Sequence, residues 1–194
     1  MGNESAGGHP SSPSREFAAW GDHSVLTDPV VSIVNPGGIA VGSWVHIGAY
    51  AVIEALVPDR GVTVTIGDGA YLGNFLRLSA VRQVTIGREA MISDRVYVSD
   101  TGHRYEDVTV PIKRQGLRDD GGTVSIGDGA WIGIGAVIVG DVTIGANSVV
   151  AANSVVRGDV ADGVVVAGDP AVVVREHTPD GWRSVRARPA PPPR

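Results

Sequence analysis

The sequence predicts an all-β chain wound as a triangular prism, a parallel β-helix of about five 18-residue coils with one long extruded loop. Three observations carry this. An aliphatic residue recurs every six positions through most of the chain. The period breaks at only three joints, and each break follows a third hexad. The composition is rich in Val, 32 of 194 residues, and in Gly, 27 residues, while Phe numbers 2 and aromatics total 5%. A narrow prism has room for Val, Ile and Ala in its interior but little for Phe.

The segments follow in order. Residues 1–15 are rich in Gly, Ser and Pro and are expected to form a solvated, disordered tail. Residues 16–40 form a lead-in, left open between a short helix and irregular chain. The prism is expected over residues 41–176. Its inward positions are Val41, Ile47, Ile53; Ile66, Leu72, Leu78; Ile86, Ile92, Val98; Ile126, Ile132, Ile138; and Ile144, Val150, Val156. The next residue is Gly, Ser or Ala in twelve of these fifteen hexads, the exceptions being Glu54, Val139 and Arg157. A crowded corner explains the small residue, because a larger Cβ substituent clashes there or a positive φ is required. The steps depart from six only from Ile53 to Ile66, from Leu78 to Ile86 and from Val98 to Ile126, so insertions leave at one corner of a three-sided solid. A sandwich would alternate with period two around hairpin turns, whereas Asp68-Gly69 and Asp128-Gly129 occupy equivalent slots inside hexads. A barrel would need eight helical segments. The last long break extrudes a loop over residues 101–123. Residues 164–174, VVVAGDPAVVV, are expected to close one end, and residues 177–194 are read as a C-terminal tail, Pro-rich and basic from residue 186.

Several function classes are disfavoured at this point. The net charge is −5 with no Lys/Arg block, which makes non-specific nucleic-acid binding a poor expectation. There are no cysteines, so disulfides, thiolate zinc sites, iron–sulfur clusters and a Cys nucleophile are excluded. No stretch approaches 18 uninterrupted apolar residues. The N-terminal segment lacks the apolar run of a secretory signal, and Ala6 stands where a myristoylation pattern needs Ser or Thr. The expected location is cytoplasmic.

The loop carries the candidate chemistry. A 22-residue insertion in a compact domain is usually functional or disordered, and His103 opens it. An imidazole titrating near neutrality suits removal of a hydroxyl proton; the alternative is a loop histidine hydrogen-bonded for structure. Asp100, Glu106 and Asp107 flank it, either to orient the imidazole or as solvated charge.

The hexads, IGDGAY, IGREAM, IGDGAW and IGANSV among them, resemble the hexapeptide-repeat, left-handed β-helix acyltransferases over residues 40–176. The segment from GTVSIGDGAWIGIGAV to VVVAGDPAVVV resembles the C-terminal half of galactoside and maltose O-acetyltransferases. ISDRVYVSDTGHRYEDVTVPIKRQGL resembles the sugar O-acetyltransferases of surface-polysaccharide pathways, with their S-D-x-x-H-x-Y-x-D…P-I-x-x-Q-G pattern. The resemblance implies a left-handed coil, acetyl-CoA as acyl donor without a metal, and a homotrimer with active sites between subunits. It places the catalytic histidine at His103, which Asp100 and Asp107 are expected to support; Tyr105 and Asp107 match the pattern and are read either in site roles or as shaping the loop. It implies acceptor contacts from Asn74, Tyr105 and Trp131, although the stretch around Asn74 reads G-N-F rather than A-N-F; a structural corner Asn at 74 and a packing corner Trp at 131 stay open as alternatives. Trp44 is read as holding the slot of Trp131 two coils earlier, and as packing only. Coenzyme A contacts are implied from the backbone at Ile134 and Ala152, and from Arg157 and Arg175 at the phosphates. Arg157 and Gly158 replace the Thr-Lys pair of the galactoside type, and Val172 replaces an Arg.

The implied activity is direct acetyl transfer to a hydroxyl of a sugar or glycan, with His103 as general base. An amine, an antibiotic or an amino-acid hydroxyl remains open as acceptor. Two other classes use such a prism. A γ-type carbonic anhydrase needs three metal ligands, usually His, yet only His46 and His103 lie in or beside the rungs. A non-catalytic assembly subunit needs neither His103 nor a phosphate site.

Overall fold

A computed structural model describes residues 16–185. The expected tails at residues 1–15 and 186–194 lie outside the described residues. Three parallel sheets form the sides of a prism. The first stacks Ala19–Trp20, Ile39–Val41, Val64–Ile66, Val84–Ile86, Val124–Ile126 and Val142–Ile144. The second stacks Val25–Leu26, His46–Ile47, Tyr71–Leu72, Met91–Ile92, Trp131–Ile132, Val149–Val150 and Val164–Gly168. The third stacks Ser32–Val34, Val52–Ala55, Arg77–Ala80, Tyr97–Ser99, Val137–Val139 and Val155–Val156.

Each inward aliphatic meets its counterpart one coil away. In the first sheet the register runs Val41, Ile66, Ile86, Ile126, Ile144. In the second it runs Ile47, Leu72, Ile92, Ile132, Val150, and in the third Ile53, Leu78, Val98, Ile138, Val156. All fifteen positions named from the sequence are at most 2% exposed. Burying each such side chain contributes roughly 1.5–3 kcal/mol, and backbone bonds tie the coils together, as where the Gly67 N–H donates to the Ile86 carbonyl at 2.8 Å.

The corners separate two demands. The small residue after each aliphatic is there for close approach: a Cβ on Gly133 would lie 2.6 Å from the Ala152 nitrogen. The left-handed backbone falls two residues later, at Gly129 (φ +65), but also at Trp44, Tyr50, Phe75, Glu89 and Asn147. Corner side chains hook the coil before them. Asp68 Oδ1 accepts the Ser43 N–H at 2.7 Å, Asp94 Oδ1 the Asn74 N–H at 2.8 Å, and Asp162 Oδ1 the Ala146 N–H at 2.7 Å.

Both ends extend the coil beyond the sequence expectation. The lead-in over 16–40 is neither a helix nor irregular throughout, because Ala19–Trp20, Val25–Leu26 and Ser32–Val34 form a further coil in register with the next. Trp20, Leu26 and Ile33 stand over Val41, Ile47 and Ile53, and Phe17 packs on Trp20 at 4.8 Å between ring centroids. Bulky rings fit here because, among the described residues, no coil lies beneath them. At the other end, Ala171–Thr178 and Gly181–Ser184 add antiparallel strands to the second sheet. The segment from residue 177 therefore opens as the rest of a hairpin, and the open sheet edge is covered.

Because Ile92 is fully buried in the middle of its column, Ile92→Ala is expected to lower the unfolding free energy by about 2–5 kcal/mol in urea denaturation. Met91→Ala on the outer face of the same strand is expected to cost well under half of that.

Candidate active site

The long loop leaves the prism at the end of a third-sheet strand that is paired on both sides. The strand Tyr97–Ser99 ends, Asp100 turns the corner, and the first sheet resumes at Val124–Ile126. Asp100 is 2% exposed. Its Oδ1 accepts the Val81 N–H at 2.8 Å, and its Oδ2 accepts the Arg82 and Gln83 N–H groups, each at 2.7 Å. A carboxylate gripped by three amides of the preceding coil anchors the root of the loop that carries His103.

Above that root, the two arms of the loop pair. Thr101 Oγ1 donates to the Arg118 carbonyl at 2.6 Å, the Arg118 N–H to the Gly102 carbonyl at 2.8 Å, and the Arg104 N–H to the Gly116 carbonyl at 3.0 Å. His103 sits within this clamp, opposite Leu117 in an antiparallel bridge. The rest of the motif builds the loop. Gln115 Nε2 donates to the Asp107 and Val110 carbonyls at 2.8 Å each, across the single turn Ile112–Gln115. Asp107 Oδ1 accepts the Thr109 hydroxyl at 2.6 Å and the Thr109 N–H at 2.9 Å. Those two bonds, the hydroxyl first, hold the Asp107 carboxyl below its ordinary value, so Asp107 shapes the loop through its Oδ1. Backbone N–H groups of Glu106 and Tyr105, with Arg118 and Arg104 nearby, hold the Glu106 carboxyl low in the same way. A depressed carboxylate stabilises the fold above its unfolded pKa, and that contribution fades as pH falls through the folded value. The loop is therefore at full strength at neutral pH.

His103 borders two concavities. One, of about 620 Å³, is lined by Asp100, Tyr105, Arg118, Asp141 and Arg157. The other, of about 230 Å³, is lined by Glu54, Arg77, Ser79, Tyr97 and Leu117. Of the residues named from the sequence, His103, Asp100, Tyr105 and Arg157 are thus brought together. The others are not. Asn74 Oδ1 accepts the Ala49 N–H at 2.9 Å, a corner hook between the second and third sheets. Trp131 lies on the outer face of the second sheet, where its Nε1–H donates to Ser93 Oγ at 3.2 Å. Its column holds His46, Tyr71 and Met91. Trp44 is not its equivalent; it occupies a left-handed corner slot and stacks on His23 at 4.0 Å. Ile134 and Ala152 sit at the corner between the second and third sheets, where the Asn153 N–H donates to the Ile134 carbonyl at 2.9 Å. Arg175 lies on the C-terminal hairpin, 5.7 Å over the Trp182 ring. His46 stacks on Tyr71 at 5.0 Å in the second sheet, and among the described residues no three His, Asp or Glu side chains converge as a metal site.

Sequence reasoning missed Glu54, Arg77 and Tyr97. Glu54 carried a signal, since it breaks the small-residue rule; so do Val139 and Arg157, which both line the larger concavity.

This architecture, a three-sided parallel β-helix with a histidine loop at one corner, matches known proteins. Residues 123–158 match the family described as Bacterial transferase hexapeptide (six repeats). The matched stretch spans the hexads from Ile126 to Val156. It is 34% identical over 137 residues to a probable acetyltransferase of Mycobacterium tuberculosis, covering 71% of this chain and 44% of the relative. The chain thus spans under half the length of that relative. It is 29% identical over 150 residues, 75% of each chain, to an Escherichia coli K12 protein whose name assigns it to lipopolysaccharide biosynthesis as an O-acetyl transferase. Among solved structures, a galactoside acetyltransferase in complex with coenzyme A superposes with a TM-score of 0.51 at 35% identity, covering 65% of this chain and 64% of that one. No described helix is long and apolar enough to cross a membrane.

Asp100→Ala is expected to cost about 1–3 kcal/mol of stability, the penalty of stranding buried donors. Hydrogen exchange should show lost protection at the amides of Val81, Arg82 and Gln83. Asp100→Asn, which retains one acceptor oxygen, should recover part of it.

Proposed function

We propose that this chain is an acetyl-CoA-dependent O-acetyltransferase that acts on a hydroxyl of a saccharide, with His103 as general base. The observation that carries this reading is the position of His103, clamped at the rim shared by two concavities, the larger with Arg118 and Arg157 beside Asp100 and Asp141, the smaller with Glu54 paired to Arg77. The saccharide relatives and the coenzyme A-bound neighbour support it.

The chemistry follows from that placement. The imidazole takes the proton of the acceptor hydroxyl as its oxygen attacks the thioester carbonyl carbon. The tetrahedral oxyanion is held by backbone N–H donors. It collapses with loss of the coenzyme A thiolate, which recovers the proton from the imidazolium. No Ser or Cys nucleophile is needed, so both substrates are bound together. Arg157, at the wall of the larger concavity, suits the donor's phosphates as a planar fork, and Tyr105 lines the same space.

Ile134, Ala152, Trp131 and Asn74 lie on or beside the second sheet, away from the corner that carries His103. Their expected donor and acceptor contacts are compatible with His103 only if a second copy brings that edge alongside the loop. This supports a homotrimer with sites between subunits. Light scattering on the full chain is expected to give three times the chain mass; a monomeric mass would remove Ile134, Ala152 and Trp131 from the site.

His103→Ala is expected to bind acetyl-CoA in calorimetry as the parent does, at about one site per chain, while transfer falls by about 100-fold or more. Undiminished turnover in that variant would end the assignment.

A further inference from the structure

We propose that Glu54, braced by Arg77 and Ser79, is the acceptor-holding residue of the His103 site and takes one uncharged pyranose ring by its hydroxyls. The inference rests on the saccharide acetyltransferase reading and deepens it.

The three exceptions to the small-residue rule stand in one column. Register in the third sheet aligns Glu54 with Ser79, Ser79 with Ser99, and Ser99 with Val139. The pairing of Ile138 with Val156 puts Arg157 next in the same column. Neighbouring strands are about 4.8 Å apart, so Glu54 and Arg157 are roughly 19 Å apart along the stack. The His103 loop leaves this column between them, directly after Ser99 and Asp100. The two ends differ: Arg118 and Arg157, beside Asp100 and Asp141, suit the anionic donor, and Glu54, paired to Arg77, suits hydroxyl donors.

Glu54 itself is poised to accept. Its side chain is 16% exposed, and a carboxylate that sheltered needs partners. Both protein donors go to the same oxygen: Ser79 Oγ–H at 2.7 Å and Arg77 Nη2 at 3.2 Å both reach Oε2. Among the described residues, Oε1 receives no hydrogen bond. Glu54 and His103 line the same cavity of about 230 Å³. That is smaller than the roughly 300–1,000 Å³ of sites for drug-sized ligands, so it takes one ring rather than a run of sugars. Tyr97 and Leu117 line it too and offer apolar surface to the C–H face of a ring. An acidic ring would set its carboxylate beside that of Glu54, and the like charges repel.

The test uses acetyl-CoA with p-nitrophenyl β-D-galactopyranoside, p-nitrophenyl β-D-glucopyranoside and p-nitrophenyl β-D-glucuronide as acceptors. The parent enzyme is expected to use a neutral hexoside and to discriminate against the glucuronide. Glu54→Gln and Glu54→Ala are expected to raise the hexoside KM by about tenfold or more, the scale of one charge-assisted hydrogen bond, with the acetyl-CoA KM unchanged. Glu54→Gln should also narrow the gap to the glucuronide. Arg157→Ala should do the reverse, raising the acetyl-CoA KM and leaving the hexoside KM alone. Glu54→Gln nearly preserves shape, so it decides the matter even if Glu54→Ala fails to fold. An unchanged hexoside KM in Glu54→Gln, or equal use of glucuronide and glucoside by the parent, overturns the assignment of Glu54 while the transferase reading stands. A parent enzyme that binds acetyl-CoA yet acetylates none of the three sugars overturns the saccharide reading, and Glu54's role with it.

Discussion

Backbone hydrogen bonding between successive coils governs the rest of this structure. Each three-sided turn must lie flat on the turn before it, because its N–H and C=O groups have nowhere else to go except to solvent at the two ends. Stacking in turn obliges an aliphatic residue to sit over an aliphatic residue, as Ile92 sits between Leu72 and Ile132. It also obliges the corners to stay narrow, as at Gly133 beneath Ala152. A chain so constrained can add residues only where it leaves one strand and has not yet entered the next. The long loop over 101–123 is the largest such departure, and it raises His103 off the prism on a base that the coil itself supplies.

The site is built from departures from that regularity. Asp100 turns its carboxylate back to three amides of the preceding coil, so the position of His103 is inherited from the rigid stack rather than from the loop. Gln115, Asp107 and Thr109 then fold the loop upon itself. Most of the residues in the histidine motif thus serve geometry, and the imidazole is what that geometry presents. Rigid scaffolds commonly carry chemistry on loops in this way. Charge is distributed with the same economy, with Glu54 and Arg157 on one column and the loop between them.

The hexads specify a fold that serves many functions, and the function must be argued from the site. The likeness to a coenzyme A-bound galactoside acetyltransferase agrees with a donor groove, but the residues expected to line such a groove lie along more than one edge of this prism. A single copy presents His103, Arg157 and Glu54 together; any contributions of Ile134, Ala152 and Trp131 depend on how copies associate.

How much of this was legible in the chain follows from the range of each interaction. The sequence by itself determined the fifteen inward positions, the corner at which insertions leave and the loop that holds His103, because each is written in spacing along the chain. The first coil escaped notice because Trp20, Leu26 and Ile33 step by six and then seven residues, and a tryptophan replaces the aliphatic. The C-terminal hairpin escaped because its strands run antiparallel and carry no hexad. Only the stacked coils show that Asp100 serves three backbone amides, that Ser79 and Arg77 meet on one oxygen of Glu54, and that Trp44 stacks on His23. These are contacts between coils, far apart along the chain, and a period of six says which residues point outward but not what they meet when the coils are stacked.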